Sequence, residues 1–123
     1  MVVDTGIFIV HLRAKDKTKT SLYGIFERED LYLSSVTLYE LMAGATSQTK
    51  KEDILLITSN FQVLEFSKAV AFRAAEIYQQ LKKENQLIEF RDIFIAATSL
   101  EFDYPVLTLN KKHFQRIKGL NLI

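Results

Sequence analysis

The sequence predicts an α/β fold of three layers: a short parallel sheet of four or five strands with helices on both faces. Three observations carry this. Short apolar runs (Val2–Asp4, Leu31–Leu33, Gln62–Phe66, Val106–Leu109) alternate with longer segments of helical period, the order of a covered parallel sheet. Only four Gly and one Pro in 123 residues argue against a loop-rich all-β domain. No repeat, low-complexity tract or linker divides the chain, so residues 1–123 read as one domain.

The elements follow in order. Val2–Asp4 is a buried strand, and Gly6–Leu12 the helix after it. Lys15–Lys19 is a polar connection. Ser21–Glu29 is expected to be helical, with Leu22, Ile25 and Phe26 on one stripe. Leu31–Leu33 is the second strand. Ser34 or Ser35 caps the helix that carries Glu40, and Gly44 ends it. Lys50–Asn60 places Ile54, Ile57 and Phe61 at helical spacing. Gln62–Phe66 is the third strand. Ser67 caps a long helix to about Glu84, with Val70, Ala74, Ile77 and Leu81 inward and Lys82 and Lys83 in its last turn, where they suit the helix dipole. Arg91–Phe102 is a helix, Val106–Leu109 a strand and Lys111–Ile117 a short helix. Asn121–Ile123 is a candidate fifth strand.

Composition excludes several classes. Hydrophobic residues make up 48% of the chain, too many for a disordered tail. Without cysteine there is no disulfide, zinc ribbon or thiol nucleophile. No run approaches the roughly 20 apolar residues of a membrane span, and the acid directly after Met1-Val2-Val3 does not suit a signal peptide. The chain is therefore expected to be soluble and cytoplasmic, with no membrane partner. A net charge of +1 gives no global pull on nucleic acid, so binding would need a local patch.

Three acids stand in apolar runs, where a carboxylate is costly: Asp4 after Met1-Val2-Val3, Glu40 within Val36–Met42, and Asp92 before Ile93–Ala97. If they converge, they suit a hard cation, Mg²⁺ or Mn²⁺. In parallel sheets, sites lie at the carboxyl ends of strands. Asp4 and Asn110 fall there, Glu40 follows the second strand, and Asp92 reaches that edge if its helix starts there. Two carboxylates 4 Å apart repel by roughly 4 kcal/mol at an effective dielectric of 20, and a divalent ion reverses that. Each acid also has a structural reading: Asp4 and Asp92 as helix caps, Glu40 on a solvated stripe. His11 and His113 lack ligand spacing and read as surface or helix-end residues. Of the basic clusters, Lys111, Lys112 and Arg116, beside the acidic edge, are candidates to hold a phosphate backbone.

Four segments together resemble a family: Val-Val-Asp4-Thr5-Gly6-Ile-Phe, Ser-Ser-Val-Thr-Leu-Tyr-Glu40-Leu, Phe-Arg-Asp92-Ile-Phe-Ile-Ala-Ala-Thr, and Thr108-Leu-Asn110-Lys-Lys-His113-Phe114. Their order and spacing are similar to a PIN domain of the VapC toxin type, over nearly the whole chain. The resemblance implies a PIN-like fold and a metal-dependent endoribonuclease, the toxin of a type II toxin–antitoxin pair. It assigns Asp4, Glu40 and Asp92 to the family's acids, Thr5 to the hydroxyl residue after the first acid, and Asn110 to a fourth position. In this scheme Asp4 and Asp92 hold Mg²⁺ or Mn²⁺ and Glu40 completes the pocket. The ion activates water against an RNA phosphodiester, and Asn110 and Thr108 orient water or phosphate. Asn110 and His113 leave the fourth acid missing, which puts a second ion in doubt. The resemblance also implies a homodimer and a cognate antitoxin. Three other readings stay open: a PIN-like domain that binds RNA or a partner without cutting, a receiver-type phospho-acceptor domain, and an aspartic protease suggested by Asp4-Thr5-Gly6.

Overall fold

The computed structural model describes all 123 residues. Four parallel strands form one sheet: β1 (Val2–Val3), β2 (Tyr32–Ser34), β3 (Gln62–Leu64) and β4 (Val106–Leu107), in the order β3-β2-β1-β4. The α-helices are α1 (Thr5–Arg13), α2 (Ser35–Ala43), α3 (Gln48–Thr58), α4 (Lys68–Lys83), α5 (Phe90–Phe102) and α6 (Lys111–Phe114).

Strand alternation divides the core into two. Val2, Leu64 and Val106 pack on one face with Val70, Ala74, Ile77 and Leu81 of α4 and with Ile93, Ala96 and Ala97 of α5. Val3 and Leu33 pack on the other with Ile7 and Phe8 of α1, Leu41 of α2 and Ile54 of α3. Successive strand residues point to opposite faces, so adjacent Val2 and Val3 serve separate cores. These are the three layers expected. The inward stripe of α4 is buried as its spacing predicts, and Ser67 Oγ accepts the Val70 N–H at its start (3.2 Å). At α2 the cap is Ser34, whose Oγ accepts the Val36 N–H at 3.0 Å.

Several elements differ from expectation. Ser21–Glu29 is not an α-helix; it holds only a 3₁₀ turn, Tyr23–Ile25, preceded by another at Lys17–Lys19. Gly24 lies inside it, and the Thr20 hydroxyl accepts the Tyr23 N–H (3.2 Å), so a local side-chain bond competes with helix propagation. Leu22 alone of its stripe is fully buried. The fifth strand shrinks to one parallel bridge, Val106 to Leu122, flanked by Val106 N–H to Asn121 O and Ile123 N–H to Val106 O, both 2.9 Å. Strands β3 and β4 stop short of Phe66 and Leu109, α3 begins at Gln48, and α6 ends at Phe114. His11 is buried: its Nδ1 lies 2.6 Å from Thr20 Oγ1, and burial and Lys17 hold its pKa below the ordinary value. No helix is long and apolar enough to cross a membrane.

The strand order places the switch point of the sheet between β1 and β4. From β1 the chain builds outward through β2 and β3, then returns to β4 on the other side of β1. The crevice outside the carboxyl ends of these strands is where an open parallel sheet presents a ligand site.

Candidate active site

Asp4 and Thr108 follow β1 and β4 directly and therefore face each other across the switch point. The Asp4 N–H donates to Leu107 O (2.9 Å), which fixes the crevice. Asp4 is the N-cap of α1: its Oδ1 accepts the Thr5 N–H at 2.8 Å. Its Oδ2 accepts the Thr108 hydroxyl at 2.7 Å, and Thr108 Oγ1 in turn accepts the Asn110 N–H at 2.9 Å. Capping and site membership coexist, since each carboxylate oxygen has lone pairs beyond one hydrogen bond.

Asp4 is 6% exposed, and no cation neutralises it. Burial pushes its carboxyl up to about 6; the Thr108 hydroxyl opposes the shift, and the negative charges of Asp92 and then Glu40 add to it. That electrostatic coupling places all three acids in one neighbourhood. Asp92 lies in the first turn of α5. It does not cap the helix; Glu89 holds that position, without a side-chain bond. Burial also raises Asp92, against the opposing contact of His113, whose Nδ1 is 3.5 Å from Asp92 Oδ2.

Glu40 reaches the cluster from α2. The Thr5 hydroxyl donates to its Oε1 at 2.9 Å, with Thr37 Oγ1 3.0 Å from the same hydroxyl. Its other oxygen lies 3.7 Å from Arg91 Nη1. The side chains of Glu40 and Asp92 are 21% and 20% exposed, so solvent reaches them, whereas Asp4 is buried.

No group of three or more Asp, Glu or His side chains is drawn together tightly enough to hold a metal. Each acid turns to its own partner, Asp4 to Thr108, Glu40 to Thr5 and Arg91, and Asp92 to His113. Asn110 does not turn to the acids either, for its Nδ2 is 2.7 Å from His113 Nδ1. Arg116 is redirected too: its Nη1 donates to the Gln86 and Leu87 carbonyls (3.4 and 3.2 Å), tying down the connection between α4 and α5. Lys111 and Lys112 remain exposed at the start of α6. Sequence reasoning gave no role to Arg91, Thr37 or the pairing of His113 with Asn110. Arg91 adjoins Asp92, and His113 lies three residues after Asn110, a spacing that faces two side chains on one helical turn.

The donor set nonetheless fits a hard divalent cation. Its groups are carboxylate oxygens, and the charge of Asp4 is poorly compensated. Mg²⁺ commonly binds through one or two carboxylates plus water and substrate phosphate, without an all-protein cage.

The family model of the PIN domain matches residues 1–120. The chain is 34% identical over 131 residues to Ribonuclease VapC of Rickettsia bellii, covering 100% of this chain and 94% of that protein. It is 31% identical over 90 residues to Ribonuclease VapC1 of Methanocaldococcus jannaschii, covering 73% and 66% of the two. The structure of VapBC-1 from nontypeable Haemophilus influenzae superposes with a TM-score of 0.84 at 27% identity, over 99% of this chain and 95% of that one. The chain belongs to the PIN domain family and is of the VapC type.

Proposed function

We propose that this protein is a metal-dependent endoribonuclease and the toxin of a type II toxin–antitoxin pair. The observation that carries the reading is Asp4, an acid buried at the switch point, with Asp92 and Glu40 close enough to raise its pKa. The relatives named ribonuclease supply the reaction class, and the structural neighbour VapBC-1 supports an antitoxin partner. A homodimer is part of the same proposal and rests on the family resemblance.

Asp4 and Asp92 would hold Mg²⁺ or Mn²⁺. Such an ion supplies Lewis acidity, offsetting phosphate charge and making water a better nucleophile. The remaining work falls to the chain itself. The Thr5 and Thr108 hydroxyls hold the Glu40 and Asp4 carboxylates in place. Glu40, partly exposed, is positioned to accept a proton from water. Lys111 and Lys112, just beyond Asn110, offer charge to the RNA backbone. Asn110, whose N–H donates to Thr108 Oγ1 and whose Nδ2 meets His113 Nδ1, would with Thr108 orient water or phosphate.

The test is cleavage of RNA by the purified chain. Activity that EDTA abolishes and Mn²⁺ restores, and that Asp4→Asn removes while the fold is kept, supports the reading. Cleavage by Asp4→Asn at the parental rate would sink it. A second reading, RNA or partner binding without cleavage, is favoured by the absence of an acid at Asn110 and at His113, the fourth position. RNA that is bound but never cut, with every divalent ion tried, would establish that reading instead.

A further inference from the structure

Beside the acids lies a surface that the cleavage chemistry does not use. Phe90 opens α5 two residues before Asp92, and its ring is 60% exposed. It stands edge-on to Phe94, with centroids 5.6 Å apart, and Phe94 stands edge-on to Phe66 at 4.8 Å. Phe66, itself 41% exposed, is anchored to the start of α2 by its N–H, which donates to Ser35 Oγ at 3.1 Å. The Arg91 guanidinium carbon lies 5.4 Å from the Phe90 ring centroid, while Arg91 Nη1 leans toward Glu40 at 3.7 Å. Tyr39, the residue before Glu40, is 66% exposed on the same side of the site.

An exposed aromatic ring braced by other rings, with a guanidinium alongside and a carboxylate site next to it, has the parts of a stacking platform for single-stranded nucleic acid. The charges argue against an ordinary protein contact, because the centre of such an interface is depleted of charged groups. Here Arg91 lies over the ring and pairs with Glu89 and Glu40. An A-form duplex keeps its base faces stacked inside the helix, whereas a single strand can splay a base onto a side chain. Resting on the ribonuclease reading above, we infer that Phe90 receives an unstacked nucleobase of single-stranded RNA, and that Arg91 takes the adjacent phosphate.

Positions two apart on a helix point about 200° from one another. The ring therefore stands at the rim of the site and not inside it, and the base it holds belongs to a nucleotide flanking the cleaved bond. Arg91 can change partners because its contact with Glu40 is long, its 3.1 Å bond to Glu89 Oε2 lies at the exposed surface, and its own side chain is 44% exposed. The platform thus sets which strand is held and in what register, and leaves the chemical step to the acids.

The experiment measures KM and kcat for a fluorescent single-stranded RNA oligonucleotide with Mn²⁺, using the full chain and its Phe90→Ala, Phe90→Leu and Phe90→Trp variants. Stacking strengths predict that Phe90→Ala raises KM about 10- to 100-fold, with kcat within about twofold, the signature of lost uniform binding. Phe90→Leu should behave like alanine and Phe90→Trp like the parent. Sedimentation should give all four proteins the same mass. An unchanged KM in Phe90→Ala, with the parent cutting RNA, overturns the platform alone. Rescue by leucine, or a mass that falls in step with affinity, also overturns it, by showing that the ring is a simple apolar contact or a subunit contact. A parent that neither binds nor cuts RNA overturns the platform together with the ribonuclease reading.

Discussion

Replacing Asp4 by Asn should destroy cleavage and make the metal-free protein more stable. In the folded chain the Asp4 carboxyl is raised from 3.8 to about 6, with burial as the largest cause. The folded state therefore binds a proton more tightly than the unfolded state does. Stability is greatest below about pH 4 and falls as pH rises through the interval to about 6. At roughly 1.4 kcal/mol per pH unit, the ionised carboxylate costs about 3 kcal/mol at neutral pH. The amide carries no such charge. It can keep one oxygen on the Thr5 N–H and turn its nitrogen toward Thr108 Oγ1. The Thr108 hydroxyl then accepts where it had donated, and loss of a partner for its proton costs about 1 kcal/mol. The net gain is about 2 kcal/mol.

For 123 residues, unfolding entropy near 2.1 cal/mol/K per residue turns that gain into a rise in Tm of about 8 °C. The assay is thermal melting of parent and variant in EDTA from pH 4 to pH 8. The variant should melt slightly below the parent at pH 4, where the lost Thr108 partner outweighs the charge effect, and reach its full advantage by about pH 7. Mn²⁺ at about a hundred times its dissociation constant should then stabilise the parent by about 2.7 kcal/mol and leave Asp4→Asn nearly unmoved. A variant that melts below the parent at pH 7.5, or a difference that ignores pH, would refute the reasoning. Asp4 would then be a helix cap whose charge the fold requires.

Three further outcomes follow from the same geometry. Glu40→Gln keeps a hydrogen bond to the Thr5 hydroxyl but loses its charge and the Arg91 contact; cleavage should drop about a hundredfold or more, with the urea midpoint almost unchanged, and a variant with parental kcat would remove Glu40 from the reaction. Thr108→Val keeps shape but strips Asp4 Oδ2 of its donor and the Asn110 N–H of its acceptor; urea unfolding at pH 7.5 should show a loss of about 1–3 kcal/mol, and no loss would mean that the hydroxyl is dispensable. His113→Ala removes the contact that holds Asp92 down against burial; the acid limb of the pH–rate profile should move to higher pH, and a limb that stays or moves lower contradicts the role given to His113.

The parts of the fold that the sequence revealed are those where burial alone decides the outcome. Val70, Ala74, Ile77 and Leu81 recur on one face of α4, and no local bond competes with that stripe. Ser21–Glu29 misled because its stripe was short and a Thr20 hydroxyl bond with an internal Gly24 tipped it to 3₁₀ geometry. At the site, Asp4, Glu40 and Asp92 were visible as acids in apolar runs, and the charges of Asp92 and Glu40 both raise the Asp4 carboxyl. Their individual partners were not visible. Arg91 and Arg116 are both exposed-looking cations in sequence, yet one meets Glu40 across helices and the other meets two carbonyls some 30 positions away. Such long-range polar pairings follow from packing and leave no periodic trace.

The structural and chemical readings of Asp4 are one reading. A carboxylate at the start of α1 can lie so deep because the Thr5 N–H and the Thr108 hydroxyl solvate its two oxygens. Those two bonds are too few to make its charge comfortable, and the carboxyl stays near 6. A third donor from the protein would lower it further and stabilise the fold, but it would also fill the lone pairs that a cation needs. Asp92 and Glu40 do the opposite: they add negative charge and raise the cost. Thr108, which holds Asp4 in place, and Asp92, which strains it, thus act on the same affinity. A hydrogen bond orients the ligand, while uncompensated charge sets how strongly a divalent ion is drawn to it. If that account is right, substitutions at Asp92 that remove its charge will stabilise the metal-free protein and weaken Mn²⁺ binding together. Calorimetry and melting on the same variant can show the two effects moving apart, and that result would break the link between them.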